Sequence, residues 1–152
     1  MTFILNDGNI CPKIGFGTYK TSDVGHVVSK AVDVGYRMFD CAAVYHNEHL
    51  IGQAIDDAIK DRKVTRDQLF IISKVWPTSL SRGLPLKSAL KSVKDLKCDY
   101  LDLLLIHWPL VFAPGEEDFP LDSDGRIRSV DRPLEDIWAE FQEIERSGMR
   151  IT

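Results

Sequence analysis

The hydrophobic residues of this chain form short continuous runs that alternate with longer stretches of helical spacing. The runs predict strands, because a strand buried on both faces is apolar throughout, and the spaced stretches predict amphipathic helices. Strands are expected at residues 14–18, 36–40, 69–74 and 101–107, and each is followed by one helix. The predicted apolar stripes comprise Val24, Val27, Val28, Ala31 and Val32 in the first helix; Leu50, Ile51, Ala54, Ile55, Ala58 and Ile59 in the second; Leu86, Ala89, Leu90, Val93 and Leu96 in the third; and Ile137, Trp138, Phe141 and Ile144 in the fourth.

Turn residues mark the connections between these elements. Asp7-Gly8 between two short apolar runs predicts a β-hairpin at the start of the chain. Gly35 is expected to end the first helix and Gly148 the last, and residues 149–152 are expected to open a fifth strand. Residues 108–133 lack a helical period and predict a long loop with a small hairpin near residues 122–125.

The order of elements, a hairpin followed by four βα units, predicts an α/β fold with a parallel sheet covered by helices. Two architectures satisfy that order: a doubly wound sheet and a (β/α) barrel. A dinucleotide-binding Rossmann fold is the weaker interpretation, because Gly15-Phe16-Gly17 supplies only part of the glycine pattern that opens such a fold.

Composition excludes several classes of protein. The 152 residues are 44% hydrophobic and 28% charged with a net charge of −4, which is typical of a soluble globular domain and not of a nucleic-acid-binding polycation. No apolar run is long enough to span a membrane. Three cysteines without paired spacing predict free thiols and a cytoplasmic location. His46 and His49 lack a third ligand nearby, so no metal site is predicted.

Polar residues at the ends of the predicted strands carry the main functional signal. Asp40, Lys74 and His107 end three successive strands, and Tyr45 follows Asp40 in the connecting loop. Because parallel strands end at one rim, where α/β folds place their chemistry, these four side chains are expected to converge. Taken singly, each has a structural explanation: a turn cap, a rim lysine, a core histidine and a packing aromatic.

Together the four groups suit proton delivery to an oxygen that gains negative charge. A phenol donates poorly at neutral pH, but a neighbouring ammonium favours the phenolate, and a carboxylate keeps that ammonium charged. An imidazole across the pocket can hold a carbonyl oxygen by a hydrogen bond. Hydride reduction of an aldehyde or ketone needs this combination.

Four stretches of the sequence resemble motifs of the aldo-keto reductase family, and the match is nearest to its aldose and aldehyde reductase-like branch. They occur in order and at compatible spacing, so the resemblance covers nearly all of the chain. The stretches are residues 14–19 (IGFGTY), 39–48 (FDCAAVYHNE), 70–76 (FIISKVW) and 100–109 (YLDLLLIHWP).

The resemblance implies that residues 1–152 are the N-terminal half of an NADP-dependent (β/α)8 TIM barrel whose hairpin plugs one end. It implies reduction of small-molecule carbonyl compounds by NADP(H). Tyr45 would be the proton donor and Lys74 would favour its ionisation. Asp40 would pair with Lys74, and His107 would orient the substrate carbonyl.

The resemblance also assigns residues to the cofactor and the substrate. The residues expected near the nicotinamide end of the cofactor are Gly17, Thr18, Tyr19 and Asp40. Those expected to line the substrate pocket beside His107 are Trp76, Trp108 and Phe112, with ordinary rim packing an almost equal explanation for Trp76.

The length of the chain leaves the function open to alternatives. A (β/α)8 barrel needs about 250 residues, so 152 residues supply an incomplete barrel of about four units with exposed strand edges. Such edges predict self-association or pairing with a partner chain, and loss of activity in the isolated monomer. The alternatives are an inactive half-barrel acting as an interaction module, and a lyase using Lys74 as a Schiff base.

Overall fold

The computed structural model describes residues 2–5 and 7–146, and it opens with the predicted hairpin. Strands β1 (Thr2–Ile4) and β2 (Ile10–Pro12) pair antiparallel, with Thr2 opposite Pro12 and Ile4 opposite Ile10. Gly8 adopts a φ of +86° in the turn, a conformation that glycine reaches without steric cost. The hairpin prediction is confirmed.

Four parallel strands form the main sheet in the order β3-β4-β5-β6. Their bounds are β3 (Phe16–Gly17), β4 (Met38–Asp40), β5 (Phe70–Val75) and β6 (Leu103–Ile106). All four were predicted, but β3, β4 and β6 are shorter than the apolar runs that predicted them. The runs extend beyond the strands because some apolar residues next to a strand are also buried in the core. Leu101, for example, is fully buried although it precedes β6.

One helix follows each of these strands and packs against the sheet through a narrow apolar stripe. The bounds are α1 (Val24–Asp33), α2 (Glu48–Lys60), α3 (Leu84–Asp95) and α4 (Leu134–Arg146). The predicted stripes were too wide, because Leu50, Leu86, Leu90 and Trp138 are exposed. The alternation of strands and helices places the core between the sheet and α1 to α4.

The loop between β6 and α4 is extended but ordered by two isolated bridges. Phe112 pairs with Ser129, and Leu121 pairs with Ile127 around the predicted turn at residues 122–125. Within residues 2–5 and 7–146, no helix is long and apolar enough to cross a membrane. The predicted helix end at Gly148 and the strand at 149–152 lie outside the described residues.

An ion pair between Arg66 and Asp102 lies where β5 and β6 begin, at the rim away from their carboxyl ends. One carboxylate oxygen of Asp102 accepts hydrogen bonds from Arg66 at 2.8 Å and from the Ile71 backbone N–H at 2.9 Å. Arg66 also lies 3.8 Å from the centroid of the Tyr100 ring. A slip of one residue would turn every side chain of a strand to the opposite face of the sheet. This pair therefore helps to set which residues of β5 and β6 lie on each face.

We expect the crossing of α2 over the end of α3 to depend on Gly52. A Cβ at Gly52 would lie 2.3 Å from the Asp95 carbonyl oxygen, so Gly52→Ala forces the two helices apart. We predict a loss of about 1–3 kcal/mol in the free energy of unfolding, measured by urea denaturation. Gly25→Ala in α1 is the control, because its Cβ would meet only Leu50 O at 3.7 Å, and it should be neutral or slightly stabilising. Equal losses in both variants would contradict the prediction.

The outer edge of β6 predicts that the 152-residue chain associates with itself. Among the described residues β6 pairs only with β5, and Leu105 on this strand is 37% exposed. An unpaired edge carrying apolar side chains favours pairing with another copy of the chain. We expect sedimentation velocity to show a concentration-dependent oligomer.

Leu105→Gln should weaken that association by about fivefold, because it removes about 1 kcal/mol of apolar burial. Val34→Gln is the matched control, because Val34 is also exposed but lies at the end of α1, away from the β6 edge. A chain that stays monomeric throughout the concentration series would contradict the prediction.

Candidate active site

The ends of the parallel strands bring a carboxylate and an ammonium into contact. Asp40 is the last residue of β4, and Lys74 lies near the end of the neighbouring β5. Lys74 Nζ donates to Asp40 Oδ1 at 2.5 Å and to the Cys41 carbonyl oxygen at 2.8 Å. The Lys74 side chain is 12% exposed and that of Asp40 is 41% exposed, so the pair is buried on the lysine side and open on the aspartate side.

Tyr45 reaches the same place from the loop after β4. It lies on a short 3-10 turn, Ala43–Tyr45, and its ring centroid is 5.2 Å from Lys74 Nζ. The His107 ring lies 5.7 Å from the Tyr45 ring, edge-on, and His107 directly follows β6. The two residues thus join Asp40 and Lys74, and all four side chains lie at one rim of the sheet, as predicted.

The surroundings of His107 favour its neutral form. Partial burial lowers the pKa of His107, and the Lys74 ammonium lowers it further, while Asp40 opposes both effects. Its Nδ1 atom is buried and has no hydrogen-bond partner within the part of the chain that the structure describes. A neutral imidazole can donate one hydrogen bond to a substrate oxygen without adding a second positive charge beside Lys74.

Aromatic side chains form a wall beside His107. Trp76 is only 5% exposed and contacts His107 at 5.0 Å and Trp108 at 4.6 Å between ring centroids. Phe112 lies 6.2 Å from Trp76 and is buried. The three residues expected to line the substrate pocket thus belong to one cluster, in which Trp76 is tightly packed.

Sequence reasoning missed two members of this region, Phe119 and Asp118. Phe119 lies 5.3 Å from Trp76, and Asp118 accepts a hydrogen bond from the Trp76 indole through its carbonyl oxygen at 2.7 Å. The Asp118 carboxylate also contacts His46 Nε2 at 2.7 Å. The available sequence signal was an aromatic residue directly after three acidic residues, Glu116, Glu117 and Asp118. No spacing rule connects Asp118 with Trp76, because the two residues are 42 positions apart.

Gly17, Thr18 and Tyr19 lie on the other side of Asp40. The Tyr19 ring is 4.8 Å from the Tyr45 ring and is exposed, and nothing lies within 4 Å of a Cβ built on Gly17. Thr18 differs from its neighbours because it is fully buried, and its hydroxyl donates to the Asp40 carbonyl oxygen at 2.9 Å. Thr18 therefore fixes the backbone of Asp40.

This side of the rim fits the nicotinamide end of a cofactor. It offers open space at Gly17, an exposed aromatic face at Tyr19 and a carboxylate, Asp40, that stays accessible beside its lysine. Each of these features suits a flat, polar ring lying against the strand ends, within reach of Tyr45.

The surroundings of Lys74 disfavour Schiff-base chemistry. Its nitrogen donates hydrogen bonds to two oxygen acceptors, one of them a carboxylate, so an attack on a carbonyl carbon would have to break these contacts. Schiff-base formation needs the neutral amine as the nucleophile. The geometry instead suits a lysine that acts as a fixed positive charge.

Comparisons with known proteins agree with this geometry. The model of the aldo/keto reductase family matches residues 13–149. Member C21 of aldo-keto reductase family 1 from Mus musculus is 39% identical over 96% of this chain and 47% of its own length, and member A1-A from Danio rerio is 37% identical over 97% and 47%. The aldose reductase structure from Schistosoma japonicum superposes with a TM-score of 0.94 at 38% identity, over 98% of this chain and 50% of the other. The chain thus spans about half the length of these relatives.

We expect the titration of His107 to report on Lys74. Lys74→Met removes a nearby positive charge that opposes protonation, so the pKa of His107 should rise and the imidazolium should persist to higher pH. The measurement is an NMR titration of the histidine ring signals, with the His107 signal assigned by its absence in His107→Gln. Lys60→Met, an exposed lysine on α2, is the control and should leave the His107 midpoint unchanged. A midpoint that falls or stays fixed in Lys74→Met would rule out this electrostatic coupling.

Proposed function

Because this chain belongs to the aldo/keto reductase family, we propose that it carries the proton-transfer half of an NADP(H)-dependent reductase that converts aldehydes or ketones to alcohols. The family and the aldose reductase-like fold support carbonyl reduction in general. The observation that carries the proposal is the convergence of Asp40, Tyr45, Lys74 and His107 at one rim.

Tyr45 is the proposed proton donor. NADP(H), when bound, supplies a hydride to the carbonyl carbon, and the oxygen then gains negative charge. Tyr45 gives its phenolic proton to that oxygen, and the Lys74 ammonium, 5.2 Å from the ring, stabilises the phenolate that remains. Asp40 holds the ammonium in place beside the ring through the 2.5 Å contact. His107 holds the carbonyl oxygen by a hydrogen bond from its neutral ring.

The aromatic wall supports a substrate with an apolar or aromatic group beside its carbonyl. Trp76, Trp108, Phe112 and Phe119 lie within 6.5 Å of one another in a connected set of ring contacts. Trp76 and Phe112 form the buried part of this wall, whereas Trp108 and Phe119 remain exposed and offer apolar surface to such a group. The proposed cofactor contacts are Gly17, Tyr19 and Asp40. They lie on the other side of Tyr45 from the aromatic wall, so Tyr45 would stand between the cofactor and the wall.

A second candidate function is a non-catalytic half-barrel that acts through its strand edge. The observation that favours it is the outer edge of β6, which has no strand partner among the described residues and carries the exposed Leu105. In that case the chain would associate but would neither bind NADPH nor oxidise it. Cofactor titration by fluorescence, run beside sedimentation, separates the two candidates.

Tyr45→Phe tests the proposed reaction. Removal of the phenolic proton should lower kcat for NADPH oxidation with an aromatic aldehyde by about 100-fold or more, because general acid catalysis typically contributes that much. NADPH binding, measured by fluorescence, should change little because the ring is retained. The assay uses the purified chain in the assembly it forms.

Tyr36→Phe is the control for this variant. Tyr36 also packs edge-on against an aromatic ring, that of Phe16 at 5.7 Å, but it precedes β4 and lies away from the four converging groups. It should retain the parent rate. Equal rates for the parent chain and Tyr45→Phe would remove Tyr45 from its proposed role.

A further inference from the structure

A buried carboxylate behind the site has no part in the proposed reaction. Glu48 is the first residue of α2 and is only 4% exposed. Ser73 donates to Glu48 Oε1 at 2.6 Å, and Ser92 donates to Glu48 Oε2 at 2.8 Å. Both serines are buried, and no basic side chain forms an ion pair with Glu48 within the described ranges. Burial raises the pKa of Glu48, and the two hydroxyls counteract that effect.

The partners of Glu48 connect the segments that carry the site residues. Ser73 immediately precedes Lys74 on β5, so their side chains point to opposite faces of the sheet. Glu48 follows Tyr45 by three residues. The hydrogen bond between Ser73 and Glu48 therefore ties the backbone that carries Lys74 to the backbone that carries Tyr45, from the helical side of the sheet.

The backbone between Tyr45 and Glu48 needs such restraint. His46 adopts a φ of 54°, in the left-handed region that is unfavourable for a residue with a side chain. Asn47 stands at the start of α2, yet its side chain does not cap the helix and instead donates to the Thr18 carbonyl oxygen at 2.9 Å. Asn47 thus ties the turn to Thr18, just after β3, and Glu48 ties it to Ser73 on β5. Such restraints keep a strained conformation populated.

We propose that Glu48 is a positioning residue that fixes Tyr45 relative to Lys74 through Ser73. Its relevance to catalysis rests on the proposed function, but the positioning itself can be measured without turnover. Ser92 supplies the comparison that separates positioning from stability, because it donates to the same carboxylate from α3 and carries no site residue beside it. A purely structural cluster would respond alike to loss of either serine.

The test compares Ser73→Ala with Ser92→Ala, using the chain labelled with ¹³C at tyrosine Cζ. The Tyr45 signal is assigned by its absence in Tyr45→Phe. We expect Ser73→Ala to move or broaden the Tyr45 signal and Ser92→Ala to leave it within its line width, although both lower the unfolding free energy to a similar extent. Glu48→Leu should reproduce the effect of Ser73→Ala, and Glu48→Gln should preserve the Tyr45 signal, because the amide oxygen still accepts from Ser73.

Kinetics add a second measurement. Ser73→Ala should lower kcat by about tenfold with little change in KM, because the proton donor is displaced while the substrate wall is intact. If Tyr45→Phe leaves turnover unchanged, the proposed function fails, and the NMR comparison still decides the positioning. Equal Tyr45 shifts in the two serine variants, or no shift in either, would overturn the inference, and the serine pair decides it even if Glu48→Leu does not fold.

Discussion

The contact between Lys74 and Asp40 is the constraint on which the site depends. Removing a lysine ammonium from water costs several kcal/mol unless acceptors replace the solvent, and Lys74 is only 12% exposed. Its two acceptors, the Asp40 carboxylate and the Cys41 carbonyl oxygen, come from consecutive residues at the end of β4. The ion pair therefore forms only if β4 and β5 are in the observed register, with Asp40 opposite Ile72. The same pairing of β4 with β5 is thus required for the sheet and for the arrangement of the site.

The convergence at the strand ends could be predicted because topology alone produces it. Parallel strands joined by helices end at one rim, so an acid, a lysine and a histidine that each end an apolar run must come together whatever the details of packing. The same reasoning cannot find a partner whose position depends on side-chain reach. Glu48 and Ser73 are 25 residues apart, and His46 and Asp118 are 72 residues apart, so no spacing rule joins either pair.

The errors in the helical stripes have a related cause. Leu86 and Leu90 follow the helical period as well as Ala89 does, yet only Ala89 is buried. A helix that packs on a sheet buries the residues that point at the sheet. The helical period alone does not say which of two adjacent rows of apolar residues points that way. Thr18 illustrates a similar limit at the site, because the sequence does not reveal that its hydroxyl donates to the Asp40 carbonyl oxygen.

The two faces of β5 carry different kinds of contact. Lys74 faces the rim that carries Asp40 and Tyr45, and Ser73 faces the helices, where it donates a hydrogen bond to the buried Glu48 carboxylate. A strand interior is the most rigid support that a fold offers for a functional group, whereas Tyr45 lies on a short turn beside a strained residue. Tyr45, the proposed proton donor, is thus less firmly supported than Lys74, and its position must be fixed by contacts outside its own turn. For this reason the hydroxyl–carboxylate cluster behind the sheet matters to chemistry on the other face.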